Sequence, residues 1–408
     1  MKLANLPYRK AHRRYHKGQS ARRVLEVADQ IDWATTAADC RQKVLTVQPE
    51  LAKLSSGFWS SLVSHLRNER DAQKNPSIEI DAIKPETLSA TDWLRLSTLL
   101  IALKCFHEAH LVREHAKSRI RQLKRQLDSP LYCDLIIGLL IENWELRELP
   151  EYLRYARLFR TECGRNRASH FIADSLSGKV IRHPNGADQA FQSLLDSRAV
   201  AVVGPLELGS QELDEIRQFD LVVGINDTSS LFSNQEESRP RPDILYLAGS
   251  VQKRMEQQGK LKLHHEPAVI VGKRNALTCL DCFRSTIFRQ NPHYNHFMLN
   301  GSLNLMPRAV LDLVLFQPAR IKVFGADLYA SMRYRKDYGG IAHQSVNTVL
   351  RQHVAHDLIT QYSVIHNLFT HKALEADCRL EPILKSGLRG YLDIFYSPDN
   401  RLRPVIPA

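Results

Sequence analysis

The sequence predicts a Rossmann-like α/β domain, a doubly wound and mostly parallel sheet, in the C-terminal half, preceded by an all-α helical segment. Three observations carry this. From roughly Arg22 to Arg167 the apolar residues recur at three and four, the period of one helix face. At Ala199 the pattern changes to short, continuous, β-branched runs, as strands of a buried parallel sheet read. From there such runs alternate with helical spacing, which a parallel sheet with crossover helices requires.

Length and composition agree with that reading. A chain of 408 residues exceeds what one compact core usually holds, so two domains are expected. With 43% hydrophobic and 25% charged residues, a largely disordered chain is excluded. The formal net charge of +12 predicts attraction to polyanions: nucleic acid, anionic lipid or nucleotide-sugar phosphates. The longest apolar stretches, around Leu99–Cys105 and Leu135–Ile141, are too short to span a bilayer. The seven cysteines are scattered, which does not describe a disulfide framework. Cys279-Leu-Asp-Cys282 is a lone C-x-x-C with no second ligand pair at zinc spacing, so two small, inert residues are expected there and no metal site.

Along the chain, residues 1–23 form a basic arm. Arg9, Lys10, Arg13, Arg14, Lys17, Arg22 and Arg23 alternate with Tyr8 and Tyr15, with no apolar core of signal-peptide length. A solvated arm is expected, and contact with RNA or an anionic membrane is the functional alternative. Residues 24–170 read as a helical domain. Thr91–Leu127 carries Trp93, Leu96, Leu99, Leu100, Leu103 and Phe106 on one helical stripe, and Ser89-Ala-Thr-Asp92 before it offers capping residues. Leu131–Arg147 and Pro150–Phe159 read as the next helices, with Pro150 suited to a first turn. No fixed repeat period emerges, and the charge run Arg119–Arg125 reads as a solvated helix face. Docking of a protein partner, a second subunit or a membrane is the expected use of this half. Residues 171–198 read as a linker ending in a short helix, Ala187–Leu195.

The strands of the C-terminal domain, residues 199–408, are predicted at Ala199–Val203, Asp220–Ile225, Asp243–Leu247, Ala268–Val271 and Ile321–Phe324. Helices are expected at Gln211–Gln218, Val251–Gly259 and Pro307–Leu315. Ligands of such sheets bind beyond the carboxyl ends of the strands. Small and amide-bearing residues stand there: Gly204, Pro205 and Ser210; Asn226 and Asp227; Gly249 and Ser250; Asn300, Gly301 and Ser302; Gly325, Asp327 and Tyr329. Together they describe a nucleotide pocket, because glycine turns admit close backbone approach and a helix N-terminus favours phosphate. The dinucleotide G-x-G-x-x-G spacing and the P-loop G-x-x-x-x-G-K-[ST] are both absent.

Four segments carry a resemblance: Val202-Val-Gly-Pro205, Phe219-Asp-Leu-Val-Val-Gly-Ile-Asn226, Asn300-Gly-Ser-Leu-Asn-Leu-Met306 and Ile321-Lys-Val-Phe-Gly-Ala-Asp-Leu-Tyr329. In order and spacing they resemble the bacterial sialyltransferases of glycosyltransferase family 42, over roughly residues 199–370. More weakly they resemble the animal-type sialyltransferases and the flagellin-modifying ulosonic acid transferases. The third-strand asparagine of the family is unmatched, since Ala248-Gly249-Ser250 stands there, and the stretch between Tyr329 and His343 is short for the family's lid.

The resemblance implies an inverting, metal-independent transferase. It would move sialic acid or a related ulosonic acid such as Kdo from a CMP-activated donor to a glycan or glycolipid acceptor. It implies that Gly204, Pro205, Asn226, Gly301, Ser302, Gly325 and Asp327 hold the donor. Tyr329 with Tyr334 or Tyr338 would stabilise the leaving phosphate. His343, in Gly339-Gly340-Ile-Ala-His343-Gln-Ser, would be the base, with His353 and His356 as rivals. Arg333, Arg335 and Lys336 would bind a donor carboxylate or an acidic acceptor. Such an enzyme is expected in the bacterial cytoplasm, peripheral at the inner membrane, in polysaccharide or lipopolysaccharide synthesis. The competing expectations are a nucleotide- or RNA-binding α/β protein and a non-catalytic scaffold with a degenerate transferase domain.

Overall fold

The computed structural model describes residues 19–31, 35–68, 78–123, 130–166, 168–176, 186–226, 240–252, 265–272, 285–292, 294–330 and 356–396. Before Ala199 the regular structure is helical throughout the described residues. Ser89, among the capping residues the sequence offers, opens the helix Ala90–Ala102 with a capping box. Its hydroxyl accepts from the Asp92 amide at 3.2 Å, and the Asp92 carboxylate accepts from the Ser89 amide at 3.3 Å. Pro150 sits in the first turn of the helix Leu149–Leu158.

The stripe over Thr91–Leu127 is broken in two, Ala90–Ala102 and Phe106–Leu123. Lys104 turns left-handed at φ 66°. Its amide donates to Ile101 O and the Cys105 amide donates to Leu100 O, the paired closure that ends a helix. The same closure recurs at Trp144, Arg160 and Lys372, with φ of 57°, 52° and 57°. Glycine usually occupies this position, and none of these ends has one, so apolar spacing alone reads through them. A left-handed L-residue costs about 1–2 kcal/mol. Lys372 is exposed. Lys372→Gly is therefore expected to stabilise the protein by roughly 0.5–1 kcal/mol, the relief exceeding glycine's added freedom in the unfolded chain. Urea unfolding checks this, with Lys372→Val expected to destabilise.

The described strands are β1 Ala199–Val203, β2 Leu221–Ile225, β3 Ile244–Tyr246, β4 Val269–Gly272, β5 Ile287–Gln290, β6 Arg320–Phe324 and β7 Glu375–Ala376. They form one parallel sheet of order β5-β4-β3-β2-β1-β6-β7. The five expected runs appear as β1 to β4 and β6, each shifted by no more than a residue or so. β5 and β7 carry no β-branched run: Ile-Phe-Arg-Gln is half polar, and Glu-Ala is two residues long. Both are edge strands, where burial on two faces is not required.

Alternation along β1 divides the core. Val200 and Val202 face a large cluster with Val223 and Ile225, whereas Ala201 and Val203 face a small one with Ile216, Phe219 and Phe324. The large cluster runs without interruption from Val24 to Phe395. The helical segment thus packs onto one face of the sheet and shares its core. Side chains bridge the two: Asn367 Nδ2 donates to Glu142 O at 2.6 Å, and Asn300 Nδ2 donates to Thr98 Oγ1 at 3.0 Å. The expected linker, 171–198, holds the end of the helix Ala168–Leu176 and the whole of Gly186–Leu195, the second within a residue of its predicted span. Among the described residues no helix is long and apolar enough to cross a membrane.

Candidate phosphate-binding site at the carboxyl edge of the sheet

The chain runs outward from β1 to β5 and then returns to place β6 on the other side of β1. The switch point of the topology therefore lies between β1 and β6, the usual crevice for a ligand. Here the loops beyond these strands are drawn together. The Gly204 amide donates to Phe324 O at 2.8 Å, and the Leu206 amide to Gly325 O at 2.9 Å. A Cβ on Gly204 would stand 2.4 Å from Gly325 O. Gly325 adopts φ 59°, and its amide donates to Asp377 Oδ2 at 2.6 Å. The glycines thus serve the close approach of the protein's own loops, and their N–H groups are engaged there. Pro205 lies partly exposed between them.

Asn226 ends β2 in the left-handed region, φ 52°. Its side-chain oxygen accepts from the Ala248 amide at 2.8 Å and so closes the turn after β3. Asp327 is buried, and its Oδ1 accepts from the Tyr329 amide at 3.0 Å. Leu328 and Tyr329 are both left-handed, with φ of 51° and 75°. Two adjacent non-glycine residues in this region are costly, and such conformations gather at functional sites. The Tyr391 hydroxyl donates to Leu328 O at 2.6 Å and helps to hold this turn.

The segment from Asn300 to Asn304 is fixed from several sides. Gly301 has φ 61°, and a Cβ there would meet the Asp357 Cβ at 2.5 Å, so only glycine fits. Asp357 caps the helix Leu358–Thr370 through the Ile359 and Thr360 amides, both at 3.1 Å. It also accepts from Asn300 Nδ2 and from the buried Arg113 Nη1, each at 2.7 Å. Arg113 in turn pairs with the buried Glu142. Gln361 accepts from the Asn304 amide at 2.9 Å and donates to Ser302 O at 2.8 Å.

His356 stands over this turn. Its Nδ1 lies 3.0 Å from Ser302 Oγ and 3.1 Å from Ser302 O. A carbonyl oxygen only accepts, so Nδ1 carries the ring proton and Nε2 holds the lone pair. Burial lowers the His356 pKa to about 4, the Ser302 contact opposes this, and the charge of Arg308 adds to the lowering. The ring is neutral at neutral pH.

Next comes the helix Leu305–Leu315, whose N-terminus lies at the carboxyl edge. Asn304 precedes it without a side-chain cap, and the Leu305 and Met306 amides have no acceptor among the described residues. Arg308 is in the first turns, and helix side chains lean toward the N-terminus. Its Nη2 donates to Leu303 O at 2.7 Å, which places the guanidinium over that end. Burial lowers its pKa. Its Nε is buried with no hydrogen-bond partner, and among the described residues the carboxylate that acts on it, Asp312, makes no direct ion pair with it. Free amides, a helix dipole and a guanidinium with a spare N–H are the groups from which oxyanion sites are built.

The structure therefore brings Gly301, Ser302 and His356 together around this helix end. It places Gly204, Pro205, Asn226, Gly325, Asp327 and Tyr329 along the same edge. His343, Tyr334, Tyr338, His353, Asp227, Arg333, Arg335, Lys336, Cys279 and Cys282 lie outside the described residues, as does most of the helix expected at Val251–Gly259. Arg308, Asp357 and Arg113 were not singled out from the sequence. An arginine one residue beyond the Pro307 helix start was the legible signal for Arg308; Arg113 gave none. Comparison with protein families, with curated proteins and with solved structures found no match.

Proposed function

We propose that this chain is a glycosyltransferase that takes a sialic or related ulosonic acid from CMP and passes it, with inversion, to a hydroxyl of a glycan or glycolipid. The observation that supports this most is the uncapped end of the helix Leu305–Leu315, with Arg308, whose Nε has no hydrogen-bond partner, beside the oriented His356. His356 Nε2 takes the proton of the acceptor hydroxyl as its oxygen attacks the anomeric carbon. The bond to the phosphate oxygen breaks and CMP departs with the electron pair. The Leu305 and Met306 amides and Arg308 hold the charge that develops on the phosphate, a task that fixed dipoles do without reorganising. Tyr329 is assigned to the same phosphate on the strength of the family resemblance. Asn226, Gly301 and Ser302 shape the donor pocket.

Thermal unfolding with added nucleotides tests the reading. CMP is expected to raise the melting temperature, by about 2.7 kcal/mol of added stability at a hundredfold excess over its Kd, with AMP, UMP and NAD giving less. Stabilisation by a purine nucleotide alone contradicts it.

A further inference from the structure

We propose that His65, Cys105 and Glu108 form a binding site for a divalent zinc-class cation within the helical segment. One ligand atom from each can be chosen so that all lie within 4.8 Å of one another. His65 is 4% exposed and Cys105 is fully buried. Glu108 Oε2 is buried and has no hydrogen-bond partner. A buried carboxylate oxygen without a partner is unfavourable unless a cation or donor satisfies it. A nitrogen, a sulfur and an oxygen donor are the set that zinc accepts in tetrahedral geometry.

The three residues come from separate pieces of chain. His65 belongs to the helix Ser56–Asn68, and Glu108 to the first turn of Phe106–Leu123. Cys105 sits at the corner between helices, fixed by the left-handed Lys104 and by its own amide donating to Leu100 O at 2.8 Å. A bound cation would tie the first helix to that corner. Binding converts the Cys105 thiol to a metal-bound thiolate and releases its proton to solvent, so affinity drops as the pH is lowered. The site lies apart from the carboxyl edge and does not depend on the donor reading.

The test uses the full chain with Cys279→Ser and Cys282→Ser, which removes the other cysteine pair, after chelator treatment. Cobalt(II) is titrated and its spectrum read. One equivalent should bind, with tetrahedral visible bands and a thiolate charge-transfer band in the near ultraviolet. Cys105→Ser should abolish the charge-transfer band. Glu108→Gln, nearly the same size, should weaken binding at least tenfold while leaving the circular dichroism unchanged. Zinc should raise the melting temperature of the parent more than that of Glu108→Gln. Failure of the parent to bind one equivalent overturns the proposal, and so does a charge-transfer band that survives Cys105→Ser. If Cys105→Ser does not fold, unchanged cobalt affinity in Glu108→Gln overturns it as well.

Discussion

Asp312→Ala is expected to lower stability by about 3–5 kcal/mol, a large share of the roughly 5–15 kcal/mol typical of a folded protein. Asp312 is fully buried beneath the sheet. It accepts from two nitrogens of Arg289, from the Tyr246 hydroxyl at 2.6 Å and from the Tyr294 hydroxyl. Burial, with the Asp312 carboxylate beside them, pushes both tyrosine hydroxyls well above their ordinary pKa. Arg289 is 1% exposed and lies between the rings of Phe191 and Phe316, 4.5 and 4.7 Å from their centroids. Its remaining carboxylate is Asp188, 2.8 Å from Nε. Removing Asp312 leaves much of a buried guanidinium and two hydroxyls unsatisfied at once, and that penalty exceeds the net worth of the pair. Chemical denaturation reads it as a lowered midpoint at unchanged slope. Replacing Arg289 and Asp312 together by methionine and leucine should recover most of the loss. A single-variant loss below about 1 kcal/mol would show that the network is not the anchor of β5 to the helix Leu305–Leu315.

His356→Ala is expected to reduce transfer by about 10²–10⁴-fold, the usual contribution of a general base, while CMP binding persists. The pH profile separates this from a structural effect. In the proposed mechanism the active form is the neutral ring. Because its folded pKa is lowered to about 4, activity should hold as pH falls through 6.5 and drop only near 4. An ordinary histidine base would lose activity near 6.5. The same shift affects stability. The folded state favours the neutral ring, so the contribution is whole above the unfolded pKa of about 6.5 and is lost as pH falls toward 4. His356→Gln should flatten this limb of the stability curve. If His356→Ala transfers at the unmodified rate and His343→Ala does not, the base is His343.

The parallel sheet was legible because burial on both faces demands β-branched runs, as at Ala199–Val203 and Leu221–Ile225. Edge strands escape that demand, so Ile287–Gln290 and Glu375–Ala376 were not visible. Helix ends closed by Lys104 or Trp144 in place of glycine carry no local mark. At the site, the small residues Gly301 and Ser302 were legible from their place ahead of a helix. The glycines Gly204 and Gly325 were also singled out, but spacing could not show whether their amides face a ligand or the protein's own Phe324 O and Asp377. Asp357 and Arg113 are 244 positions apart in the chain, and no local pattern links them. Their contact exists only because the helical segment packs on the sheet.

Calorimetric titration with CMP and with cytidine, using the unmodified chain and Arg308→Gln, reads the phosphate contact directly. The unmodified chain should bind CMP more tightly than cytidine. Arg308→Gln should weaken CMP about tenfold or more, the loss of a charge-assisted hydrogen bond worth about 1.5–3 kcal/mol, and leave cytidine unchanged. Equal CMP affinity in the two proteins would contradict a phosphate site at the end of the helix Leu305–Leu315.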